Sequence, residues 1–377
     1  MWLRDVEEVG LSQRDLCETV DAIASWQLPS GMIPWFPGGH ADPWNHTEAA
    51  MALLVGGQRQ EAERAFDWLV ARQRPDGAWH RYELADRVEE DKLDANVCAY
   101  PATGVWHHWL CHRDQGFLEG LWPTVERAID FVLGLQARRG EILWARHADG
   151  TPWPYALLTG SSSISLSLRC ALAIAEQLGH ERPDWEECTG RLLHAIVHHP
   201  DAFAPKHRWA MDWYYPVLVG AVCGEVARDR LAGGWQRFAL TAPADTSDSP
   251  AADRSSDRTV LGVRCGADQP GVTAAETCEC ALAHLRVGDR GRALDLFRAA
   301  QLLRDRASGH YWTGRVYPDE VNFPADERTS YTGAAVVLCA DALTGASPAS
   351  RLFHDPTTVA EVLALEWSEE VLEAAGE

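Results

Sequence analysis

The chain has 377 residues, of which 46% are apolar and 24% charged, so it can bury at least one large core and is not a disordered chain. Its 55 acidic side chains outnumber 34 basic ones, and the net charge of −21 argues against a nucleic-acid partner. The N-terminal stretch MWLRDVEEVG is charged, and no segment approaches the ~20 apolar residues of a membrane span. We therefore expect a soluble cytoplasmic protein with no signal peptide and no membrane attachment.

The ten cysteines are scattered through apolar stretches. Because no export signal is present, reduced and buried thiols are expected rather than disulfides. A metal site is the alternative, since Cys278 and Cys280 form a Cys-x-Cys pair and 15 histidines are available. The sequence has no Cys-x-x-Cys pair and no His-Glu-x-x-His motif, so we predict core cysteines and no metal or other cofactor.

Apolar residues recur with a period near 3.6 through most of the chain, which predicts an almost entirely helical protein. In chain order the predicted helices cover 12–27, 44–56, 58–73, 93–112, 116–137, 159–178, 184–199, 210–228, 229–239, 272–287, 289–304 and 328–344. Sustained alternation with a period of two is almost absent, so little β-structure is expected.

Two segments differ from the helices. Residues 241–259 are rich in Ser, Asp, Pro and Ala, which predicts a disordered surface loop. The tail from about 355 carries a short amphipathic stretch, which we expect to pack on the exterior; a helix that binds a partner is the alternative.

Two kinds of helix alternate along the chain. Segments rich in Ala, Ser, Cys, Leu and Val with few charges are followed by clearly amphipathic ones; the apolar segments are 44–56, 159–178, 272–287 and 328–344. A helix that is apolar all round is buried, whereas a one-sided helix lies outside it. The alternation predicts an all-α fold, an (α/α)6 toroid of inner and outer helices formed as a single domain by residues 1–377.

A short motif recurs at the ends of helices. A Gln is followed four residues later by a Gly and then by a Trp at 27–35, 73–79 and 136–144, with a weaker fourth copy at 308–312. Glycine permits a turn that other residues avoid, and the aromatic residue packs the loop back. The repeat indicates helical hairpins, and therefore the fold rather than the chemistry.

In such a ring, the loops that lead into the inner helices collect at one open end, where carboxylates and aromatic side chains would make a sugar-binding cleft. The first of these loops holds Asp42, which Trp44, His46 and Glu48 follow. Asp42 can cap the next helix, which is a common structural role. The density of polar and aromatic residues around it favours a functional role as well.

Later loops add further candidates for substrate binding. They are Asp94, Trp153, Tyr155, Asp212, Tyr214, Tyr215 and Arg264. Asp94 can again be a helix cap, and the aromatic residues can either stack on sugar rings or fill the loops. Asp212 stands among four aromatic residues, an environment that suits a catalytic acid.

The predicted helix 272–287 carries two carboxylates, Glu276 and Glu279, in a stretch otherwise rich in Ala and Cys. An unpaired carboxylate in such a helix is costly, so we expect one of the two to face the cavity. Glu276 is the preferred candidate because it is nearer the loop.

The order of the segments resembles the glucoamylase-type glycoside hydrolases of family 15 over roughly residues 40–345. The stretches ADPWNHTEAAMALLV, KLDANVCAY, VRCGADQPG and NFP follow one another in that family's order. The family's acid and base are missing, because residues 143–146 (LWAR) and 313–316 (TGRV) stand where it carries them. The resemblance therefore implies the fold and carbohydrate chemistry but not that family's catalytic pair.

A narrower resemblance is to the actinobacterial methylmannose-polysaccharide hydrolases, endo-acting α-mannosidases with an α/α toroid. The loop DPWNHTEAAMAL and the helix start TAAETCECALAH carry it. The resemblance implies that Asp42 is the base that activates water and Glu276 the acid that protonates the leaving oxygen. It predicts an inverting glycosidase for an α-linked hexose oligosaccharide or polysaccharide, of mannose or glucose, with or without methyl groups.

Two other classes stay open at this point. The repeated Gln-Gly-Trp motif also marks toroidal terpenoid cyclases and prenyltransferases, although the chain has no Asp-x-Asp-Asp motif and no convincing zinc-ligand set. A non-catalytic carbohydrate-binding toroid is the other alternative. Carboxylates in the inner cavity would favour a sugar, and a wholly aromatic lining a terpenoid.

Overall fold

The computed structural model describes residues 1–243 and 258–362, and helices make up most of it. In chain order they are α1 (Gln13–Ser25), α2 (Pro43–Val55), α3 (Arg59–Arg72), α4 (Ala95–Ala99), α5 (Pro101–His112), α6 (Gln115–Leu133), α7 (Leu158–Leu178), α8 (Pro183–His198), α9 (Met211–Leu218), α10 (Gly224–Phe238), α11 (Ala274–Arg286), α12 (Arg290–Ala300) and α13 (Ser330–Thr344). Short 3₁₀ turns occur at Glu7–Val9, Pro200–Ala202, Gln301–Leu303 and Pro356–Thr358.

Six hairpins close these helices into a ring. The inner layer runs α2, α4 with α5, α7, α9, α11 and α13, each packed on the next, and α13 returns to pack on α2. The outer layer is α1, α3, α6, α8, α10 and α12, each beside its own inner helix. The predicted (α/α)6 toroid is therefore confirmed.

The two layers differ in burial as their sequences predict. Every residue of α2 except Trp44 is buried, whereas α1 buries one stripe, from Leu16 to Ile23. Among the described residues, one helix, α7, is long and apolar enough to span a membrane by length and composition. Because 83% of that window is buried within the protein, α7 is an inner helix of the ring.

The repeated glutamine ties each hairpin to the following outer helix. Gln73 Nε2 donates to the carbonyl oxygen of Gly77 in its own loop, at 2.9 Å, and to that of Thr124 on α6, also at 2.9 Å. Gln27 and Gln136 make the equivalent pairs of hydrogen bonds in their own hairpins. The motif therefore sets the spacing of the outer layer.

The repeated glycine leaves room for the neighbouring backbone. Gly77 has φ +86°, and a Cβ atom there would lie 2.1 Å from the carbonyl oxygen of Arg127 on α6. The fourth copy completes the circle, because Gly309 packs in the same way against the carbonyl of Glu18 on the first outer helix. The loop glycines thus let the outer helices approach one another around the ring.

A five-stranded antiparallel sheet is the main departure from the predicted secondary structure. Its strands, in spatial order, are β5 (Ala239–Pro243), β6 (Arg258–Arg264), β7 (Gly271–Thr273), β8 (Trp312–Val316) and β9 (Val321–Arg328). Two smaller pairs join β1 (Tyr82–Glu83) to β2 (Val88–Glu90) and β3 (Leu93–Asp94) to β4 (Ala145–Arg146).

The sequence pattern did not predict this sheet, because the strands are short and irregular. The register shifts between Leu240 and Thr241 and again between Trp312 and Gly314, so alternation is never sustained. The sheet matters for the site, because β7 runs directly into α11.

Some predicted boundaries were wrong. The predicted helices 210–228 and 229–239 are α9 and α10, because Gly220 and Gly224 adopt positive φ values and separate them. Predicted helix 93–112 is divided between α4 and α5 at Pro101. Of the predicted loop 241–259, both ends lie in β5 and β6, and 244–257 lie outside the described residues.

The tail packs on the ring as far as it is described. The carbonyl oxygen of Thr358 accepts a hydrogen bond from Trp106 Nε1 at 2.6 Å, and Ala360 N donates to the carbonyl of Arg169 at 3.3 Å. Residues 363–377 lie outside the described part. The ten cysteines are free, as predicted. Six are buried, but the prediction of buried thiols was wrong for Cys223, which is exposed, and for Cys17, Cys188 and Cys265, which are partly exposed.

Replacing Gly77 with Ala should destabilise the fold. The new methyl group would collide with a backbone carbonyl at a positive φ, so we expect the free energy of unfolding to fall by about 2–4 kcal/mol. Gly179→Ala is the matched control, since Gly179 has φ +76° with nothing within 4 Å of its Cβ position. Urea unfolding should show a loss of about 1 kcal/mol for the control. Equal losses would contradict a packing role for the repeat.

Candidate active site

A cavity of about 580 Å³ opens at the end of the ring where the loops lead into the inner helices. Its lining includes six carboxylates, from Asp42, Glu48, Asp94, Asp212, Glu276 and Glu279. It also includes seven aromatic residues, Trp35, Trp44, Tyr82, Trp144, Tyr155, Trp209 and Tyr331. This mixture of several acids and aromatic walls is the lining expected of a sugar site.

The cavity collects seven of the twelve predicted site residues. They are Asp42, Trp44, Glu48, Asp94, Tyr155, Asp212 and Glu276. The structure places the other five, His46, Trp153, Tyr214, Tyr215 and Arg264, outside the cavity lining.

His46 is enclosed in the fold. Its Nδ1 accepts a hydrogen bond from Ile33 N at 3.1 Å, and its Nε2 lies 2.9 Å from the carbonyl oxygen of Ala65. Burial lowers the pKa of His46 to about 4, so the ring is neutral and holds the loop against α3.

The other four support the cavity from behind or beside it. Trp153 packs edge to face on the cavity residue Trp144, with ring centroids 4.9 Å apart. Tyr214 and Tyr215 are buried on α9 beneath the cavity, and Arg264 ends β6 opposite β7.

Asp42 is both a helix cap and a cavity residue. Its Oδ1 accepts hydrogen bonds from the backbone N–H groups of Trp44 and Asn45, at 2.9 and 3.0 Å, at the start of α2. Its Oδ2 accepts from Trp35 Nε1 and Asn45 Nδ2, both at 2.7 Å. These four donors fix the orientation of the Asp42 carboxyl group at the start of α2.

Glu276 lies in the first turn of α11, less deeply buried than Glu279. The hydroxyl of Thr273, the N-cap residue, donates to Glu276 Oε2. The sheet fixes this turn, because Val263 N on β6 donates to Thr277 Oγ1 at 2.9 Å. Glu276 also faces Cys265, whose thiol pKa is raised by burial and by this neighbouring carboxylate.

Two more glutamates form the floor of the cavity. Tyr100 donates its hydroxyl to Glu48 Oε1 at 3.0 Å, and Tyr214 donates to Glu279 Oε2. Burial raises the pKa of Glu48 to about 7. Burial, with the charge of Glu48, raises the pKa of Glu279 well above its usual value. Both groups therefore tend to keep their protons near neutral pH.

The two remaining acids stand on walls that α7 separates. Asp94 caps α4 through Asn96 N and Val97 N, and it pairs with Arg81 at 2.8 Å. Burial raises the pKa of Asp94 even though Arg81 opposes the shift. Asp212 accepts the hydroxyl of Thr159 at 2.6 Å.

Sequence reasoning missed several lining residues. Trp35 was assigned to the hairpin repeat, although its indole N–H holds Asp42. Arg81 immediately precedes β1, a short strand that the pattern did not predict, and Tyr331 sits in the first turn of an apolar helix. Glu279 was the rejected alternative to Glu276. Its spacing of three residues from Glu276 already placed both acids on one helix face.

Within residues 1–243 and 258–362, no group of three or more His, Cys, Asp or Glu side chains is arranged to hold a metal ion. The expectation that the enzyme needs no metal stays a prediction.

Solved structures share this ring. A glycosidase in complex with glucose superposes with a TM-score of 0.65 at 14% identity, over 90% of this chain and 99% of its own. The GH63 mannosylglycerate hydrolase of Thermus thermophilus, in complex with glucose, gives 0.60 at 12% identity, over 86% and 99%. A D-mannose isomerase gives 0.57 at 12% identity, over 87% and 97%, so the fold alone does not fix the reaction.

The ring is an α/α toroid whose open end holds an acid-lined cavity. No protein-family model matches the sequence. The MMP endo-(1,4)-3-O-methyl-alpha-D-mannosidase of Mycolicibacterium hassiacum is 48% identical over 337 residues, which are 89% of this chain and 88% of the relative. The chain belongs to the family of this mannosidase.

Family membership decides between the classes left open by the sequence. The chain is a glycoside hydrolase, and its predicted resemblance to the methylmannose-polysaccharide hydrolases is confirmed. The terpenoid and non-catalytic alternatives are set aside. The roles of individual site residues are a separate question.

The raised pKa of Glu48 predicts a pH-dependent stability. Between about pH 4.5 and 7 the folded protein keeps a proton on Glu48 that the unfolded chain has lost. The free energy of unfolding should therefore fall as the pH rises through this window, by up to about 3 kcal/mol for this group. Glu48→Gln should show a shallower fall in urea unfolding between pH 5 and 8.

Glu187→Gln, on the exposed face of α8, is the control and should follow the wild-type curve. Titrating groups that do not interact with Glu48 are common to all three proteins and cancel in the comparison, whereas Glu279, whose pKa depends on the charge of Glu48, contributes to the difference. Parallel curves for wild type and Glu48→Gln would show that Glu48 is ionised in the folded state.

Proposed function

We propose that this enzyme hydrolyses α-(1,4) linkages within a 3-O-methylmannose polysaccharide, with inversion, using Asp42 as base and Glu276 as acid. The observation that carries the substrate is the 48% identity, over most of both chains, to the relative whose name states this activity. In this proposal the binding partner of the enzyme is its polysaccharide substrate. Its place in the cytoplasm and its action as a single domain remain predictions from sequence.

The surroundings of Asp42 suit a general base. A base must be held within reach of the proton that it removes from water, and the four donors to Asp42 fix its carboxyl group in the cavity lining. Two of these donors, from Trp35 and Asn45, belong to cavity-lining side chains and meet at Oδ2. We expect the attacking water to bind at this oxygen.

The position of Glu276 suits a general acid. It stands on α11, and α13 separates α11 from α2, so Asp42 and Glu276 approach the cavity from two sides with Tyr331 between them. Inversion requires such separation, about 6.5–9.5 Å between carboxyl groups, to admit the water. Glu279, one turn further along α11, is deeper and is engaged by Tyr214.

Burial distinguishes Glu48 and Glu279 from the proposed pair. Six carboxylates line the cavity, but within the described chain the only basic residues of the lining are Arg81 and Lys206. So many acids cannot all ionise in one enclosed space. Because burial raises the pKa values of Glu48 and Glu279, the part of the cavity below Glu276 carries less negative charge than six ionised carboxylates would give it.

The walls of the cavity suit a methylated sugar. Apolar side chains of Val97, Leu157 and Met211 lie among the aromatic rings. Each methyl ether buried against such a surface gains about 0.8 kcal/mol. An unmethylated mannose would place a hydroxyl group there instead.

Substitution of the proposed pair should separate the acid from the base. Asp42→Asn should lose activity by about 10³-fold or more on every substrate, because the water is no longer activated. Glu276→Gln should lose a similar factor on the polysaccharide but far less on a mannoside with a good leaving group, such as nitrophenol, which needs no protonation. Mass spectrometry would follow the products, and anomeric NMR should show initial inversion by the wild type.

Glu279→Gln is the matched control for the assignment of Glu276 as the acid, because Glu279 lies on the same face of α11 as Glu276. If Glu279→Gln rather than Glu276→Gln shows the leaving-group dependence, then the assignment of the acid is wrong. Equal circular dichroism and melting temperatures would show that the variants fold. Wild type inactive on every α-mannoside tested would overturn the proposed activity.

The apolar wall predicts a preference for methylated substrate. Wild type should have a kcat/KM about fourfold higher for each methyl group that the wall covers, compared with the unmethylated oligosaccharide. Leu157→Asn should reduce this ratio, whereas Leu157→Met, which keeps an apolar surface, should preserve it. If the wild type has equal kcat/KM for the methylated and unmethylated substrates, the apolar wall does not contact the methyl group.

A further inference from the structure

A second cavity, of about 630 Å³, lies between the loops of the first and last hairpins. It is lined by Trp26, Phe36 and His310 and by the charged residues Asp326, Glu327 and Arg328, among others. We call it the side groove. We propose that the side groove binds a distal segment of the glycan chain that is cut between Asp42 and Glu276, an inference that rests on the proposed function.

The side groove offers a rigid aromatic surface. The rings of Trp26 and His310 stack face to face, with centroids 3.7 Å apart and an angle of 17°. His310 is only 4% exposed, and within the described residues its Nδ1 has no hydrogen-bond partner. Trp26 and Phe36, both partly exposed, lie in the same connection between α1 and α2. Aromatic faces held in this way suit the apolar faces of sugar rings.

Charged and hydroxyl groups edge the aromatic surface. Arg328 donates to Ser308 Oγ at 3.3 Å, and its guanidinium lies 4.6 Å from the ring of Trp312. Glu327 accepts the hydroxyl of Thr313 at 3.0 Å. The carboxylate and guanidinium groups are therefore held at the rim, where they can bind hydroxyl groups of a sugar.

The backbone at the rim is strained. Asp326 has φ +60°, a conformation that non-glycine residues rarely adopt, and it is exposed at the end of β9. Strain of this kind is concentrated at binding sites. It directs the chain so that three consecutive residues, Asp326 to Arg328, line the side groove.

The side groove and the catalytic cavity share one thin wall. Trp35 lines the catalytic cavity and donates to Asp42, while the next residue, Phe36, lines the side groove. Tyr331, three residues after Arg328, lines the catalytic cavity. The centroids of the Tyr331 and Trp35 rings are 4.9 Å apart.

Hydrogen bonds lock this wall. Ser330 N donates to the carbonyl oxygen of Trp35, and Ser330 Oγ donates to that of Pro34, both at 2.8 Å. A long glycan that leaves the catalytic cavity over this wall reaches the side groove directly. A tethered second contact of this kind raises affinity for long chains without affecting short ones.

The test compares long and short methylmannose oligosaccharides. The double variant Asp326→Asn, Glu327→Gln keeps the shape of both side chains, and Asn tolerates positive φ. We expect kcat/KM to fall about 5- to 10-fold for the polysaccharide and to change less than about twofold for the shortest substrate that is cleaved. Trp26→Phe should give a smaller fall in the same direction.

Val226→Ser is the matched control, because Val226 is 68% exposed on α10, outside both cavities. It should cleave both substrates as the wild type does. If the double variant has the wild-type ratio of kcat/KM for the polysaccharide to kcat/KM for the shortest substrate, the proposal that the side groove binds glycan is wrong. Cleavage by the wild type in the same experiment would still support the proposed function.

Binding to the inactive Asp42→Asn protein gives an independent readout. Isothermal titration should show weaker binding of the long oligosaccharide when the double substitution is added, with binding of the short one unchanged. Equal affinities would overturn the inference. If the wild type cleaves nothing, the proposed function fails, and these titrations still decide whether the side groove binds the glycan.

Discussion

The site depends on the contact between the first and last inner helices, α2 and α13. This contact closes the ring, so that residues more than two hundred positions apart in sequence line one cavity. The hydrogen bonds from Ser330 to the carbonyl oxygens of Pro34 and Trp35 fix the same junction at the mouth. Without closure, Asp42 would face solvent instead of α11, and the thin wall between the two cavities would not exist. Closure is therefore the condition for the chemistry as well as for the fold.

Several residues serve the fold and the cavity at once, which explains why a structural and a functional interpretation both fitted the sequence. Asp42 and Asp94 cap inner helices with one oxygen and present the other to the cavity. A cap needs an ionised or strongly polar side chain at the start of a helix. In a toroid, the starts of the inner helices surround the open end, so a good cap is already placed where a sugar would bind.

Much of the fold was predictable because it repeats. Two local sequence patterns recur along the chain: apolar inner helices alternate with amphipathic outer ones, and Gln-Gly-Trp motifs mark hairpins. In a ring, successive hairpins repeat these patterns in chain order. The sheet was not predictable, because short strands with bulges lack a sustained period of two. The site was partly predictable: the spacing of Glu276 and Glu279 places both on one face. Burial depth depends on neighbours distant in sequence, so the enclosure of His46 and the exposure of Trp35 to the cavity could not be read locally.

The crowding of acids connects the net charge of the chain to its mechanism. Six carboxylates in one cavity would repel one another if all were ionised, and the described part of the ring supplies only Arg81 and Lys206 as basic residues within the lining. The structure responds with a gradient of environments. Four donors hold Asp42 at the mouth, while burial and the phenol groups of Tyr100 and Tyr214 surround the acids on the floor. Burial raises the pKa values of Glu48 and Glu279 on the floor, and identical side chains differ in function only when their surroundings differ in this way.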